Sequence, residues 1–233
     1  MPSIQYFFVS FWMFSILFAF FTVLILFVFA NSIWNRKRQQ ELAELSRRLG
    51  LSFFPKRDYS MDERFPFLEK LCRGRNRYAY NILQGEYRGH PVCVFDYHFE
   101  TRSRDSKGRS KTRHHYFSFF ILLVNRNFPE LIITQEGWFS KVAQWFGYSD
   151  IDFESAEFSR KFIVRSPDKK FAYDICHGQM IEYMLRNQDL SIEIERNCVT
   201  LFFGSVLATE QIPVELNRLI EVREMFPNYL MEG

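Results

Sequence analysis

The chain has 233 residues, among them 28 Phe and 11 Tyr, and a formal charge of +3 from 30 Lys and Arg against 27 Asp and Glu. That aromatic mass excludes a disordered tail, and the length suits one ordinary domain, or two small packed ones, beside any membrane-borne segment. The cysteines Cys72, Cys93, Cys176 and Cys198 form no C-x-x-C pair and have no His at zinc-finger spacing, which excludes a patterned metal framework and predicts free, structural thiols.

In chain order, residues 1–35 contain no Asp, Glu, Lys, Arg or His, and between 6 and 30 only Ser10, Ser15 and Thr22 interrupt the apolar run. As a helix rising about 1.5 Å per residue, that run reaches roughly 37 Å, more than the roughly 30 Å of a bilayer's hydrocarbon. The run is longer than the apolar core of a signal peptide and has no basic residues before it, so an uncleaved transmembrane anchor is expected over 1–35. Trp34 and then Arg36, Lys37 and Arg38 follow it, and the positive-inside rule predicts the N-terminus outside and the rest of the chain in the cytoplasm.

Residues 36–50 read as an amphipathic juxtamembrane helix, with Leu42, Leu45 and Leu49 on one stripe and Gly50 as its stop. Residues 51–233 are expected to form a soluble α+β domain, with subdomains at 51–135 and 136–233. A short helix is predicted over 60–71, where Ser60 and Glu63 have capping-box spacing. Strand-type runs at 78–88, 92–100, 116–124 and 131–134, joined by turn chemistry, predict a mainly antiparallel meander. Farther along, a short helix is expected over 138–146, an acidic connector at 150–155 and a strand over 158–164. A helix N-capped by Ser166 with Pro167 at its first position comes next, then a hairpin across Asn197 and a final helix from Pro213 with Leu216, Leu219 and Ile220 inward.

The runs Tyr80-Asn81-Ile82-Leu83-Gln84-Gly85-Glu86, Val94-Phe95-Asp96-Tyr97 and Asp150-Ile151-Asp152-Phe153-Glu154-Ser155, with Phe158-Ser159-Arg160, resemble an uncharacterised family of bacterial single-pass membrane-anchored proteins. The resemblance implies a bacterial inner-membrane location and a domain without assigned activity.

Two constellations could carry chemistry. On the second strand a period of two puts Asp96, His98 and Glu100 on one face, and a hairpin would bring His114 near Glu100. Two carboxylates and two imidazoles suit a divalent metal that activates water, although no metalloprotease spacing accompanies them. The loop between this strand and the next carries Arg102, Arg104, Lys107, Arg109, Lys111 and Arg113 against Asp105 alone, a pattern suited to anionic phospholipid headgroups. The charge is also uneven along the chain. Residues 36–115 hold 19 Lys and Arg against 10 Asp and Glu, whereas 116–233 hold 11 against 17. Asp150, Asp152 and Glu154 lack the glycine and distal Glu of an EF-hand, and Walker, dinucleotide and nucleophile-elbow signatures are missing.

The leading expectation is therefore a membrane-tethered interaction module, not an enzyme. It would need no metal or cofactor, and its partners would be the membrane, its anionic lipids or another membrane protein, with no nucleic acid. The alternatives are a metal-assisted hydrolase-like enzyme using Asp96, His98, Glu100 and His114, and lipid binding by the basic loop.

Overall fold

A computed structural model describes residues 2–104, 108–135 and 150–232, with the side chains of 1–16, 19, 27–34 and 69 outside the description. The chain divides into two units, Met1–Glu44 and Leu45–Gly233. The first consists of most of helix α1, Pro2–Leu49, which is continuous through the predicted junction at residue 35. Among the described residues, no helix is long and apolar enough to cross a membrane.

The second unit is a mixed α/β domain built on six strands, all paired antiparallel: β1 Ser52–Phe54, β2 Arg75–Tyr87, β3 His90–Arg104, β4 Ser110–Gln135, β5 Phe162–Arg165 and β6 Ile192–Phe203. Helix α1 enters it through a Schellman stop. Gly50 adopts φ +72°, the Leu51 amide donates to the Ser46 carbonyl at 2.9 Å, and the Gly50 amide donates to Arg47 at 3.4 Å. Buried Leu51 then leads directly into β1.

The predicted third and fourth strands are one element. β4 runs 26 residues without a turn and is bonded along both edges, to β3 and β5 on one side and β6 on the other. Pro129 falls where the β4–β6 register shifts between Leu123 and Leu131, a place in a ladder that tolerates a missing amide donor. The hairpin expected across Asn197 is likewise one strand. Arg196 takes a left-handed φ of +50° opposite Phe128, which kinks β6 to follow β4 instead of reversing it.

Helices cover the central strands. α2 (Met61–Arg64) and α3 (Glu69–Cys72) replace the single helix expected over 60–71, the chain between them containing Pro66. Met61, Phe65, Leu68 and Leu71 join Phe95, Tyr97, Phe99, Phe119 and Phe202 in one apolar cluster, and the Ser60 hydroxyl donates to Asp58 instead of capping. After the connector come α4 (Ala156–Lys161), α5 (Lys169–Ile175), α6 (Gly178–Arg186), α7 (Ile212–Glu224) and α8 (Asn228–Met231). Residues 158–161, expected in a strand, belong to α4, whose N-cap Ser155 accepts from the Phe158 amide. The N-cap of α5 is Asp168, not Ser166. Its carboxylate accepts from the Phe171 amide, while the Ser166 hydroxyl donates to the Glu130 carbonyl. α7 packs on β4 and β6 and buries Leu216, Leu219 and Ile220. The helix expected over 138–146 lies outside the described residues. None of the four cysteines is in a disulfide, and burial pushes the Cys93 thiol up to about 11 and the Cys198 thiol up to about 12.

On β6, the fully buried Glu193 is held by Lys70 at 2.9 Å, whose ammonium also sits 3.6 Å from the Phe202 ring centre. Glu195, two residues along, has Glu130 and Glu193 as neighbouring like charges, opposed only in part by Arg196. Burial, and then Glu130 and Glu193, push its carboxyl up to about 7. A carboxyl raised in the fold binds more protons than the unfolded chain, so its contribution is intact below about 4.5 and is lost as pH rises through about 7. Glu195→Gln is therefore expected to raise the melting temperature at pH 8 and leave it nearly unchanged at pH 4.5, as read by differential scanning fluorimetry across that range.

Candidate functional site

The β3–β4 hairpin carries both constellations. Its register pairs Asp96 with Ser118, His98 with Tyr116, Glu100 with His114 and Arg102 with Thr112, so these residues share one face of the ribbon. Val92 and Val94 lie on that face too, and β3 is buried on both faces from Val92 to Phe99. Its polar residues are thus buried groups needing partners, not the solvent side of a half-exposed strand.

Asp96 departs from the predicted four-residue cluster. Its carboxylate accepts from the Ser118 hydroxyl and the Asn81 amide, each at 2.9 Å, and the Leu207 amide donates to the same Ser118 oxygen at 3.0 Å. Asn81 reaches it from a break in the β2–β3 register with φ +53°. This is a structural network binding β2, β3, β4 and the chain after β6.

His98, Glu100 and His114 do come together. The His98 Nδ1–H donates to the Asn76 carbonyl at 3.1 Å, which leaves the Nε2 lone pair facing His114 Nδ1, also at 3.1 Å. Glu100 Oε1 lies 3.6 Å from the same His114 nitrogen and accepts from the Asn76 side-chain amide at 2.7 Å. Among the described residues, this is the group of three or more His, Cys, Asp or Glu whose ligand atoms converge, all within 4.8 Å of one another. The stack above it runs from the Arg57 guanidinium, 4.4 Å from the Tyr78 ring centre, through Tyr78 to His98 at 4.6 Å, with Tyr116 on His98 at 4.8 Å. His98 is 2% exposed, whereas the His114 side chain is 53% exposed, so the cluster opens to solvent on the β4 side.

Asn76, Tyr78 and Arg57 were not among the residues singled out from the sequence. The legible signal was Gly74 followed by Asn76, two residue types that tolerate left-handed backbone just ahead of a strand. Gly74 has φ +68°, and a Cβ there would meet the Glu100 carbonyl oxygen at 2.3 Å. Asn76 has φ +50° within a second break in the β2–β3 register.

The basic residues divide between the two sides of the ribbon. Arg102 and Arg104 lie on the face of His98, whereas Lys111 and Arg113 pair with Ser103 and Thr101 on the other. The ribbon beyond Glu100 is exposed on both strands, and Lys107 lies outside the described residues. In the acidic connector, Asp150 is ion-paired to Arg165 at 2.6 Å and the Ile151 amide bonds to Val164, so it ties the connector to β5.

These features define a mixed α/β domain on a mainly antiparallel sheet, with a polar cluster at the root of an exposed ribbon. The fold is shared with the crystal structure of the mycobacterial trehalose monomycolate transport factor A, TtfA, at a TM-score of 0.56 and 11% identity, over 82% of this chain and 97% of that one. No protein-family model and no curated protein matches the chain.

Burial lowers the His98 pKa, with His114 and Arg57 acting in the same sense against the raising pull of the Asn76 carbonyl and Glu100. A base lowered in the fold contributes stability that is present above its unfolded value of about 6.5 and is lost as pH falls through the lowered one. The melting-temperature advantage of the wild type over His98→Gln should therefore shrink between pH 7.5 and pH 5 in thermal melts.

Proposed function

We propose that the chain is a membrane-tethered interaction module, anchored by α1, with its α/β domain at the cytoplasmic face of a bacterial inner membrane. One observation carries the reading: every described large apolar side chain of residues 17–26 is exposed, from 45% at Leu24 to 76% at Phe18. These positions run around the whole helix circumference, and an uncovered apolar cylinder of that extent is matched by lipid acyl chains. Thr22 donates its hydroxyl to the Phe18 carbonyl at 2.8 Å, which satisfies it within the helix as hydrocarbon requires. The sequence carries no Asp, Glu, Lys, Arg or His from residue 1 to 35, and Arg36, Lys37 and Arg38 set the orientation.

A tethered domain gains encounter with membrane partners through effective concentration, without high intrinsic affinity. The mycobacterial protein of the same fold is named a transport factor, which is compatible with an accessory role here. The resemblance to membrane-anchored bacterial proteins supports the same class. The hydrolase-like reading loses Asp96 to its structural network. The full chain is expected in the membrane pellet after high-salt and alkaline washes and in solution only with detergent, and a periplasm-dependent reporter at its C-terminus should stay silent. Recovery in the salt-washed aqueous fraction would remove the anchor, and an active reporter would reverse the orientation.

The exposed ribbon favours a second contact, with anionic headgroups, at about 1 kcal/mol for each well-placed Lys or Arg. In proteoliposomes containing the full chain, protection of the ribbon from trypsin is expected with phosphatidylglycerol and not with phosphatidylcholine alone. Added salt should abolish the protection, and so should replacing Arg102, Arg104 and Arg109 with Gln.

A further inference from the structure

We propose that His98 Nε2, His114 Nδ1 and Glu100 Oε1 form a binding site for a divalent transition metal of the zinc class, at the point where the covered sheet gives way to the exposed ribbon. The inference stands apart from the membrane reading, since all three ligands lie on β3 and β4 of the folded domain.

The register creates the site. Glu100 faces His114 across the ladder, and His98 lies two residues before Glu100 on the same face, so three donors of two strands share one spot. In a tetrahedral zinc site with bonds of about 2.0–2.1 Å, neighbouring ligand atoms lie about 3.3 Å apart. The His98–His114 and His114–Glu100 separations, 3.1 and 3.6 Å, bracket that value. The remaining edge is no longer than 4.8 Å.

The surroundings are those of a metal ligand set. A ligating imidazole usually donates its other N–H to a carbonyl or carboxylate, which fixes the tautomer and aims the lone pair. His98 does this through Nδ1 to Asn76, and the same Asn76 holds Glu100 through its amide. One residue in left-handed backbone thus orients two of the three donors. Without a cation, a single N–H on His114 Nδ1 faces both the His98 lone pair and the Glu100 carboxylate, and it can serve only one of them well. A cation satisfies all three. Two imidazoles and a carboxylate favour zinc over magnesium, which prefers oxygen donors, and the exposed side of His114 leaves room for a fourth ligand from water or a partner.

The test uses the full chain in mild detergent, stripped with EDTA and titrated with zinc chloride by calorimetry, with bound metal counted by mass spectrometry. One zinc per chain is expected, with a rise in melting temperature and no competition from excess magnesium. Because His98 is buried, the exposed His114 carries the decisive variant: His114→Ala should keep its circular dichroism spectrum and lose affinity by about 10-fold or more. Asn76→Gly, which preserves the backbone conformation, should weaken binding with all three ligands intact, and His90→Ala should leave it unchanged. Cobalt in place of zinc should give visible d–d absorption that His114→Ala abolishes. Absence of saturable zinc uptake, or uptake unaffected by His114→Ala, would overturn the proposal and leave a hydrogen-bond network only.

Discussion

Strand β4 is hydrogen-bonded along both edges, and most of the domain's geometry follows from that. Its register overlaps β3 and β6 at residues 118–122 and β5 and β6 at 132–133, so this one strand fixes the positions of β3, β5 and β6 together. With helices on the sheet as well, both faces of the central strands are withdrawn from water, which explains the unbroken aromatic and aliphatic run from Phe119 to Val124. The register shifts between Leu123 and Leu131 absorb Pro129, and the left-handed Arg196 lets β6 bend with β4, so the ladder continues where a straight pair would have ended.

Burying both faces of β3 carries a cost, because Asp96 and His98 go inside with it. An unpartnered polar group there would cost on the order of 1–3 kcal/mol, more if charged. β2 meets this requirement twice in the same manner. It leaves register at two places, and at each an asparagine with φ near +50° turns toward a buried polar residue of β3: Asn81 to Asp96, and Asn76 to His98 with Glu100 beside it. The first arrangement is closed, with the Ser118 hydroxyl completing it. The second is open, because its outermost member, His114, faces solvent. That difference separates a structural network from a site able to take a ligand.

Much of this was legible in the residues. The alternation in β3 predicted a shared face for Asp96, His98 and Glu100, and a hairpin predicted the approach of His114, because period-two geometry is local and survives whatever packs around it. The dispersal of the group was not legible. Whether Asp96 or Glu100 stays with His98 depends on which partner reaches each one, and those partners, Ser118 and the two asparagines of β2, come from other strands. The basic ribbon shows the same limit. Its composition reads as one patch, yet register sends Arg102 and Arg104 to one side and Lys111 and Arg113 to the other.

By itself the sequence determined the local features: the long uncharged apolar run, the Gly50 stop, the antiparallel strands of 78–124, the unbridged thiols and the inward face of α7. Each of these depends on residues within a turn or two of one another. Only the tertiary structure decided that two predicted strands were one, that a predicted hairpin was a kink, and that three of four candidate donors converge. Those outcomes depend on backbone pairing between segments far apart in the chain, where a partner strand, and not local propensity, determines whether a residue turns, bends or continues.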